Sequence, residues 1–308
     1  MASKKRALII GCGIAGPAAA LCLRRAGCEP IIFEASPEPD DYAGLFLNVA
    51  RNGMRILADL GVDGFVRKQG MEMRIMRFRN AKGNWLGDVG RPTGEPQGYT
   101  IKRSLLHRAL REEVQRQGIS LHFGKKLAAI HVLPDQVTAL FQDGTSETGD
   151  FLVGCDGLHS QVRKILFPDA LPPVYTGLIS FGGYSFGSQV AYEPGVQHLF
   201  FGKKAFFGYA VNQSGEVYWF GNIRYPGKPT RRELASPAPQ KVADTTRHFV
   251  TDSAVMRLVT DATTTMLAVP LRNGLRGAEA LYRVMMFPIG TFRRGLVKVC
   301  SLLHHLYA

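Results

Sequence analysis

Six residues near the start of the chain, Gly11-Cys12-Gly13-Ile14-Ala15-Gly16, set three glycines at the spacing G-x-G-x-x-G. That spacing does chemistry through the backbone. The first glycine permits a tight turn, the second lets the main chain approach a pyrophosphate, and the third lets a helix pack close on a strand. A helix opening at Ile14 and Ala15 then offers free N–H groups and a partial positive charge to the phosphates. An acid must follow at the end of the next strand to accept hydrogen bonds from a ribose 2′-hydroxyl. Glu34 stands there, 23 residues after Gly11. Glycine turns are common, so the context gives the motif its meaning. An apolar run precedes it, Pro17 falls in the first helical turn, and a second apolar run ends at Glu34. The reading is a site for an adenine dinucleotide.

FAD and NAD(P) share this fingerprint, and a second segment separates them. Gly154-Cys155-Asp156-Gly157-Leu158-His159-Ser160-Gln161-Val162-Arg163 follows the apolar run 151–153. With it the chain resembles the p-hydroxybenzoate-hydroxylase-like family, the class A FAD-dependent monooxygenases. There an Asp-Gly…Ser…Val-Arg segment lies beside the FAD and the NAD(P)H path, and Asp156, Gly157, Ser160 and Arg163 match it. Residue chemistry alone also allows an Asp-Gly turn that caps a helix through Ser160. The family's Arg-x-x-Leu helix start is matched by Arg103-Ser104-Leu105-Leu106, which implies a place for Arg103 at the flavin side of the cofactor. The other reading of Arg103 is an exposed helix-start cation. The region Gly44…Asn48…Leu57…Leu60-Gly61 is similar to the segment that passes the flavin ring, where Arg51 is either a contact or an ordinary surface arginine. Aromatic runs between 178 and 223 look like the sheet that covers the substrate. Tyr184, Phe186, Phe207, Tyr209 and Trp219 line a pocket or are plain core, and none is assigned to a site.

The resemblance implies FAD as cofactor and NAD(P)H and O2 as co-substrates. One oxygen would pass to an aromatic or polyketide-like small molecule, by hydroxylation or epoxidation. That chemistry is the cofactor's own, so no side chain is expected as a catalytic residue. Three alternatives share the motifs. A flavin reductase or dehydrogenase would consume no oxygen. A flavin halogenase would usually show Trp-x-Trp-x-Ile-Pro, which is absent. A catalytically impaired remnant is the third, because the resemblance runs from residue 7 to roughly residue 270 and then fails. Arg294-Gly295-Leu296-Val297-Lys298-Val299 looks like the strand leading into the family's Gly-Asp segment, but Ser301-Leu302 and His304-His305 follow instead. The expectation is a truncated or altered tail, with an FAD site open on its ribityl side that holds the cofactor weakly and leaks hydrogen peroxide.

Competing chemistries find little support. Two adjacent histidines lack the partner set a metal needs. Five cysteines, an odd number without a CxxC pair, argue against a zinc site and against a disulfide framework. No Ser-His-Asp set or paired-carboxylate motif is present. The expectation is no metal.

The motifs demand particular elements around them. Residues 7–10 and 30–33 read as fully buried strands of a parallel sheet, with a helix over 14–26 stopped by Gly27. This is a βαβ unit. Helices are expected over 51–60 and over 103–117, the latter with Leu105, Leu106, Ala109, Leu110 and Val114 on one face. Strand-like runs follow at 119–123, 127–133 and 136–141, then a hairpin turn at Asp143-Gly144 and a buried strand over 151–153. From 171 the texture changes to aromatic strands over 178–186, 197–201, 206–211 and 217–223, an antiparallel sheet with one wet face. A proline-rich loop over 226–239 and a helix over 240–259 complete the pattern. The fold class is α/β: a Rossmann-like FAD-binding domain over 1–170 and an antiparallel β-sheet substrate domain over 171–270, followed by an atypical tail over 271–308.

Composition agrees. The 308 residues suffice for one large or two ordinary domains, and 45% apolar with 20% charged residues fits a soluble globular protein. Glycine, 34 residues in all, exceeds the usual share and points to many tight turns. The net charge is +13, and residues 171–308 hold 15 Lys and Arg against 7 Asp and Glu. The cations are mostly singles and doublets without a stacking-aromatic array, which favours anionic small molecules over nucleic acid. Lys4-Lys5-Arg6 before 17 uncharged residues imitates a signal peptide, but Gly11, Gly13, Gly16 and Pro17 would break its helix. No stretch reaches the length of a membrane span. A cytoplasmic protein without a membrane span is expected; oligomeric state is not legible.

Overall fold

A computed structural model describes residues 4–39, 44–90, 95–186, 190–202, 205–230 and 267–273. The chain opens with β1 (Arg6–Ile10), α1 (Ala15–Arg25) and β2 (Glu29–Phe33). Next come β3 (Phe46–Val49), α2 (Arg51–Asp59), α3 (Asp63–Gln69), β4 (Met71–Met73), β5 (Ile75–Asn80), β6 (Trp85–Gly90), β7 (Gly98–Lys102) and α4 (Arg103–Arg116). They lead to β8 (Ser120–His122), β9 (Leu127–Val132), β10 (Val137–Phe141), β11 (Ser146–Gly149), β12 (Phe151–Gly154) and α5 (Gln161–Leu166). The last elements are β13 (Val174–Ser185), β14 (Val196–Phe201), β15 (Ala205–Val211), β16 (Val217–Arg224) and β17 (Leu267–Asn273).

Strands β12, β1, β2 and β8 form a parallel sheet in that order. The unbroken apolar run of β1 is explained by what covers it. Alternate side chains of a strand point to opposite faces. Ala7 and Ile9 pack with α1 and α4 through Leu21, Leu106 and Leu110, while Leu8 and Ile10 pack against Leu127, Val137 and Phe141 of the antiparallel β9–β10–β11 sheet. Both faces are therefore dry. Helix α1 ends as its sequence requires: Gly27 takes φ +84°, and the Cys28 N–H donates back to the Leu23 carbonyl. Strand β12 corrects an expectation. It is only half-buried, because among the described strands it lies at the sheet edge rather than between two others.

The second large sheet runs β17-β13-β16-β15-β14-β5-β6. Two features differ from the expected antiparallel sheet with one wet face. Strands β14 and β5 pair in parallel, so β5 and β6, which come from inside residues 1–170, complete the sheet. Near β3 its middle strands are also covered on both faces, while the far end of the second face, with Asn222 half-buried and Arg224 exposed, stays open. One face carries Phe181, Phe200, Phe207, Tyr209 and Trp219 in a single cluster. The opposite face meets the small antiparallel sheet β3-β7-β4, whose Phe46 ring lies 5.3 Å from Tyr218 and 5.5 Å from Phe220. The helix expected over 240–259 and the tail motifs from Arg294 to His305 lie outside the described residues.

Candidate functional site

The glycine turn sits where the parallel sheet ends. Gly11 takes φ +105°, its N–H donates to the Phe33 carbonyl at 2.8 Å, and a side chain there would meet the Cys155 carbonyl oxygen at 2.5 Å. Gly16 is held tighter still, since a Cβ would fall 1.9 Å from the Gly11 carbonyl oxygen. Gly13 differs from both. Nothing lies within 4 Å of a Cβ there, so open space faces this part of the turn. The helix that follows starts uncapped. Ile14 holds the N-cap position without a side-chain hydrogen bond, and no acid stands in the first turn of α1. The first N–H groups of the helix are thus left for an outside acceptor.

Glu34 extends from the end of β2 into this turn. Its Oε2 accepts from the Cys12 N–H at 2.6 Å and its Oε1 from the Ser36 N–H at 2.9 Å. Each oxygen keeps a lone pair for a ligand hydroxyl. Parallel pairing of β12 with β1 brings the second motif to the first: Asp156 Cα lies 2.9 Å from the place a Gly11 side chain would occupy. The Asp156 carboxylate is occupied. It accepts from Ser160 Oγ at 2.5 Å and from the Gln161 and Val162 N–H groups at 2.6 and 3.0 Å, while Ser160 Oγ accepts from the Arg163 N–H. Asp156 and Ser160 together cap α5, so the helix-cap reading of this segment holds, and the segment also abuts the glycine turn.

Gly157 takes φ +76° with nothing within 4 Å of a Cβ. Valine there meets no clash but must adopt a left-handed backbone, at about 1–2 kcal/mol. Gly157→Val should fold, and its flavin content or its NAD(P)H-driven flavin reduction should fall below the parent's. If both match the parent, the segment is a helix cap and nothing more.

Arg103 begins α4, exposed, with its N–H donating to the Leu45 carbonyl and its side chain against Gly44. One turn further, His107 Nε2 bonds the Cys12 carbonyl oxygen and ties α4 to the glycine turn. Sequence reasoning passed over His107. Its spacing of four from Arg103 put it on the same helix face, but no local pattern names a carbonyl partner. Arg51 is exposed at the start of α2. Of the aromatic candidates, Tyr184 faces Phe46, Phe186 is exposed, and Phe207, Tyr209 and Trp219 are core on the other face.

The electrostatics around the turn are quiet. Burial, with the Glu34 charge adding, pushes the Cys12 thiol up to about 12; burial beside Asp156 pushes Cys155 up to about 11. Both thiols stay protonated at neutral pH and are poor nucleophiles. Beyond the turn, Lys102 Nζ meets Glu216 Oε1 at 2.7 Å and sits 4.5 Å from the centre of the Tyr184 ring. Burial and the Glu216 charge raise the Tyr184 and Tyr218 phenols well above their ordinary value. Among the described residues, no three His, Cys, Asp or Glu side chains are placed to hold a metal ion. Nor is any helix among them long and apolar enough to cross a membrane.

An uncapped helix start, an open glycine beside it and a carboxylate at the end of the second strand fit the diphosphate and ribose of FAD. Comparison with known proteins agrees. The model of the FAD binding domain family matches residues 4–169. The 3-amino-4-hydroxybenzoate 2-monooxygenase of Streptomyces platensis is 35% identical over 173 residues, 54% of this chain and 43% of that protein. The aurachin C monooxygenase/isomerase of Stigmatella aurantiaca is 30% identical over 301 residues, 89% of this chain and 72% of that one. HpxO from Klebsiella pneumoniae, solved with FAD and uric acid, superposes with a TM-score of 0.73 at 22% identity, over 87% of this chain and 68% of that one. The chain belongs to the FAD-binding-domain family of class A flavin monooxygenases, and FAD is its cofactor. Its match spans less than half the length of the Streptomyces platensis relative.

Proposed function

We propose that this chain carries the activity of an FAD-dependent monooxygenase that uses NAD(P)H and O2 to oxidise an aromatic or polyketide-like small molecule. The observation that carries the reading is the uncapped start of α1 facing the open side of Gly13, with Glu34 and the Asp156 segment on either side. When bound, FAD supplies the redox and oxygen chemistry. The chain's own residues bind, orient and exclude water. Gly11 makes the turn, Gly13, Ile14, Ala15 and Gly16 present N–H groups to the diphosphate, Glu34 accepts from the adenosine ribose, Arg103 serves the flavin side, and Asp156 and Gly157 border the cofactor. The parallel sheet with its helices, within residues 1–170, forms the cofactor half. The aromatic sheet of residues 171–270, completed by β5 and β6, is the substrate half. Amino- and hydroxyl-bearing benzoates, named for one relative, are the first substrates to try.

The test begins with the absorbance of the purified chain at about 450 nm, where bound flavin absorbs. Oxygen uptake is then followed with NADH or NADPH and 3-amino-4-hydroxybenzoate. Uptake matched by reduced-nucleotide loss and by an oxygenated product is the expected result. Nucleotide oxidation without oxygen uptake would instead make the protein a flavin reductase or dehydrogenase.

A further inference from the structure

The glycine turn is held peptide by peptide from several elements. The Ile10 carbonyl accepts from the Cys155 N–H at 2.7 Å, and the Gly11 N–H donates to the Phe33 carbonyl at 2.8 Å. At Cys12 the partners become side chains. Glu34 Oε2, just past β2, takes the Cys12 N–H, and His107 Nε2, on α4, meets the Cys12 carbonyl oxygen. A carbonyl oxygen only accepts, so the imidazole donates and carries a proton on Nε2. The bonded carbonyl belongs to the peptide unit that ends in the Gly13 N–H. In a trans peptide the C=O and the N–H point in opposite directions, and none of the described peptides is cis. With its carbonyl tied to α4, this unit aims the Gly13 N–H away from that helix. Open space follows at Gly13, where nothing lies within 4 Å of a Cβ, and the uncapped start of α1 comes next.

A peptide that precedes glycine turns over easily, because glycine takes either sign of φ at little steric cost. Turned over, the unit before Gly13 would present its carbonyl oxygen where its N–H now stands. An anion that gains a hydrogen bond from the N–H is repelled by the oxygen. We propose that His107 is a positioning residue for FAD: by holding the Cys12 carbonyl it keeps the Gly13 N–H turned to the cofactor's diphosphate. The imidazole need not touch the cofactor to do this. Arg103, assigned above to the flavin side, stands one turn earlier on the same helix, so α4 sets the diphosphate and the flavin in register with each other. Without the imidazole the turn divides between two orientations, and apparent affinity falls with the fraction still correctly turned. The inference rests on the proposed placing of the diphosphate at the glycine turn and goes beyond it in naming what orients the turn.

Calorimetric titration of the full chain, freed of FAD, with ADP and with adenosine tests it, since the two ligands differ only in the diphosphate. The parent should bind ADP more tightly. In His107→Leu, ADP and FAD should weaken about three- to tenfold while adenosine binds as before. His107→Gln, whose amide N–H has a similar reach, should restore most of the loss. In the parent carrying isotope-labelled glycine, ADP should move the Gly13 amide proton signal downfield and adenosine should not. Equal weakening of both ligands in His107→Leu overturns the proposal and marks the imidazole as structural. So does a loss that His107→Gln leaves unmended, or a Gly13 signal indifferent to ADP, which decides the matter even where His107→Leu fails to fold. A parent without preference for ADP sinks the placing of the diphosphate itself. A preference for ADP that survives His107→Leu sinks only the role of His107.

Discussion

Alanine at Gly13 should leave the protein folded and remove most of its affinity for FAD, whereas alanine at Gly16 should damage both. The contrast follows from what each new methyl group meets. At Gly13 it meets nothing within 4 Å, so stability should stay within about 0.5 kcal/mol of the parent. On the proposed function, the diphosphate comes against the backbone in that open space. A methyl group holds it off, at a cost of roughly 2–4 kcal/mol for one or two charge-assisted hydrogen bonds. At Gly16 the methyl group lands 1.9 Å from the Gly11 carbonyl oxygen, and a backbone atom cannot swing aside. Helix α1 must then back away from β1, for a loss of about 3 kcal/mol or more. Thermal melts read one effect and FAD titration the other. A Gly13→Ala protein with parental FAD affinity would show that the glycine turn is not the phosphate cradle.

Glu34→Ala should weaken FAD by roughly 1–3 kcal/mol through the lost ribose hydrogen bonds. It should also lower stability, because the Cys12 and Ser36 N–H groups lose their acceptors at once. Glu34→Gln keeps one acceptor oxygen and should fall between the parent and Glu34→Ala on both scales. FAD titration alongside denaturant melts separates the two contributions. Parental FAD affinity in Glu34→Ala would remove this residue from the cofactor site, leaving it a pin between β2 and the turn.

What could be read without coordinates was whatever declares itself within about thirty residues. The β1–α1–β2 unit did so through periodicity, glycine and proline, and α4 through its apolar face. The pairing of β9 with β10, and of β10 with β11 across Asp143-Gly144, follows the same local logic. The remainder depends on partners far along the chain. Nothing in Ile75–Asn80 announces that Ile75 will pair with Val196, since pairing across such a distance leaves no periodic trace. The wet face expected for the aromatic sheet failed in part, at the end near β3, for a related reason. Phe46, on a four-residue strand of mixed polarity, covers the surface that alternation assigned to water. Within the site, the types and places of Gly11, Gly16, Glu34 and Asp156 were legible, but their partners were not. The Asp156 carboxylate spends itself on α5, and His107 reaches the Cys12 carbonyl from another helix.

The parallel pairing of β5 with β14 also sets a schedule for a chain that emerges from its amino end. Among the described residues the parallel sheet has its last strand, β12, by residue 154, so these four strands can pair while synthesis continues. The hairpin of β5 and β6 is made earlier but must wait for residues 196–201 before the inner edge of β5 has a partner. At ordinary rates of translation the wait is on the order of ten seconds. During it the hairpin bears bare main-chain groups beside the outward-facing Trp85 and Val89. On the proposed function, the newborn protein thus owns the described strands of its nucleotide platform before it owns a substrate floor. The interval between them is when misassociation with a neighbouring nascent chain is easiest.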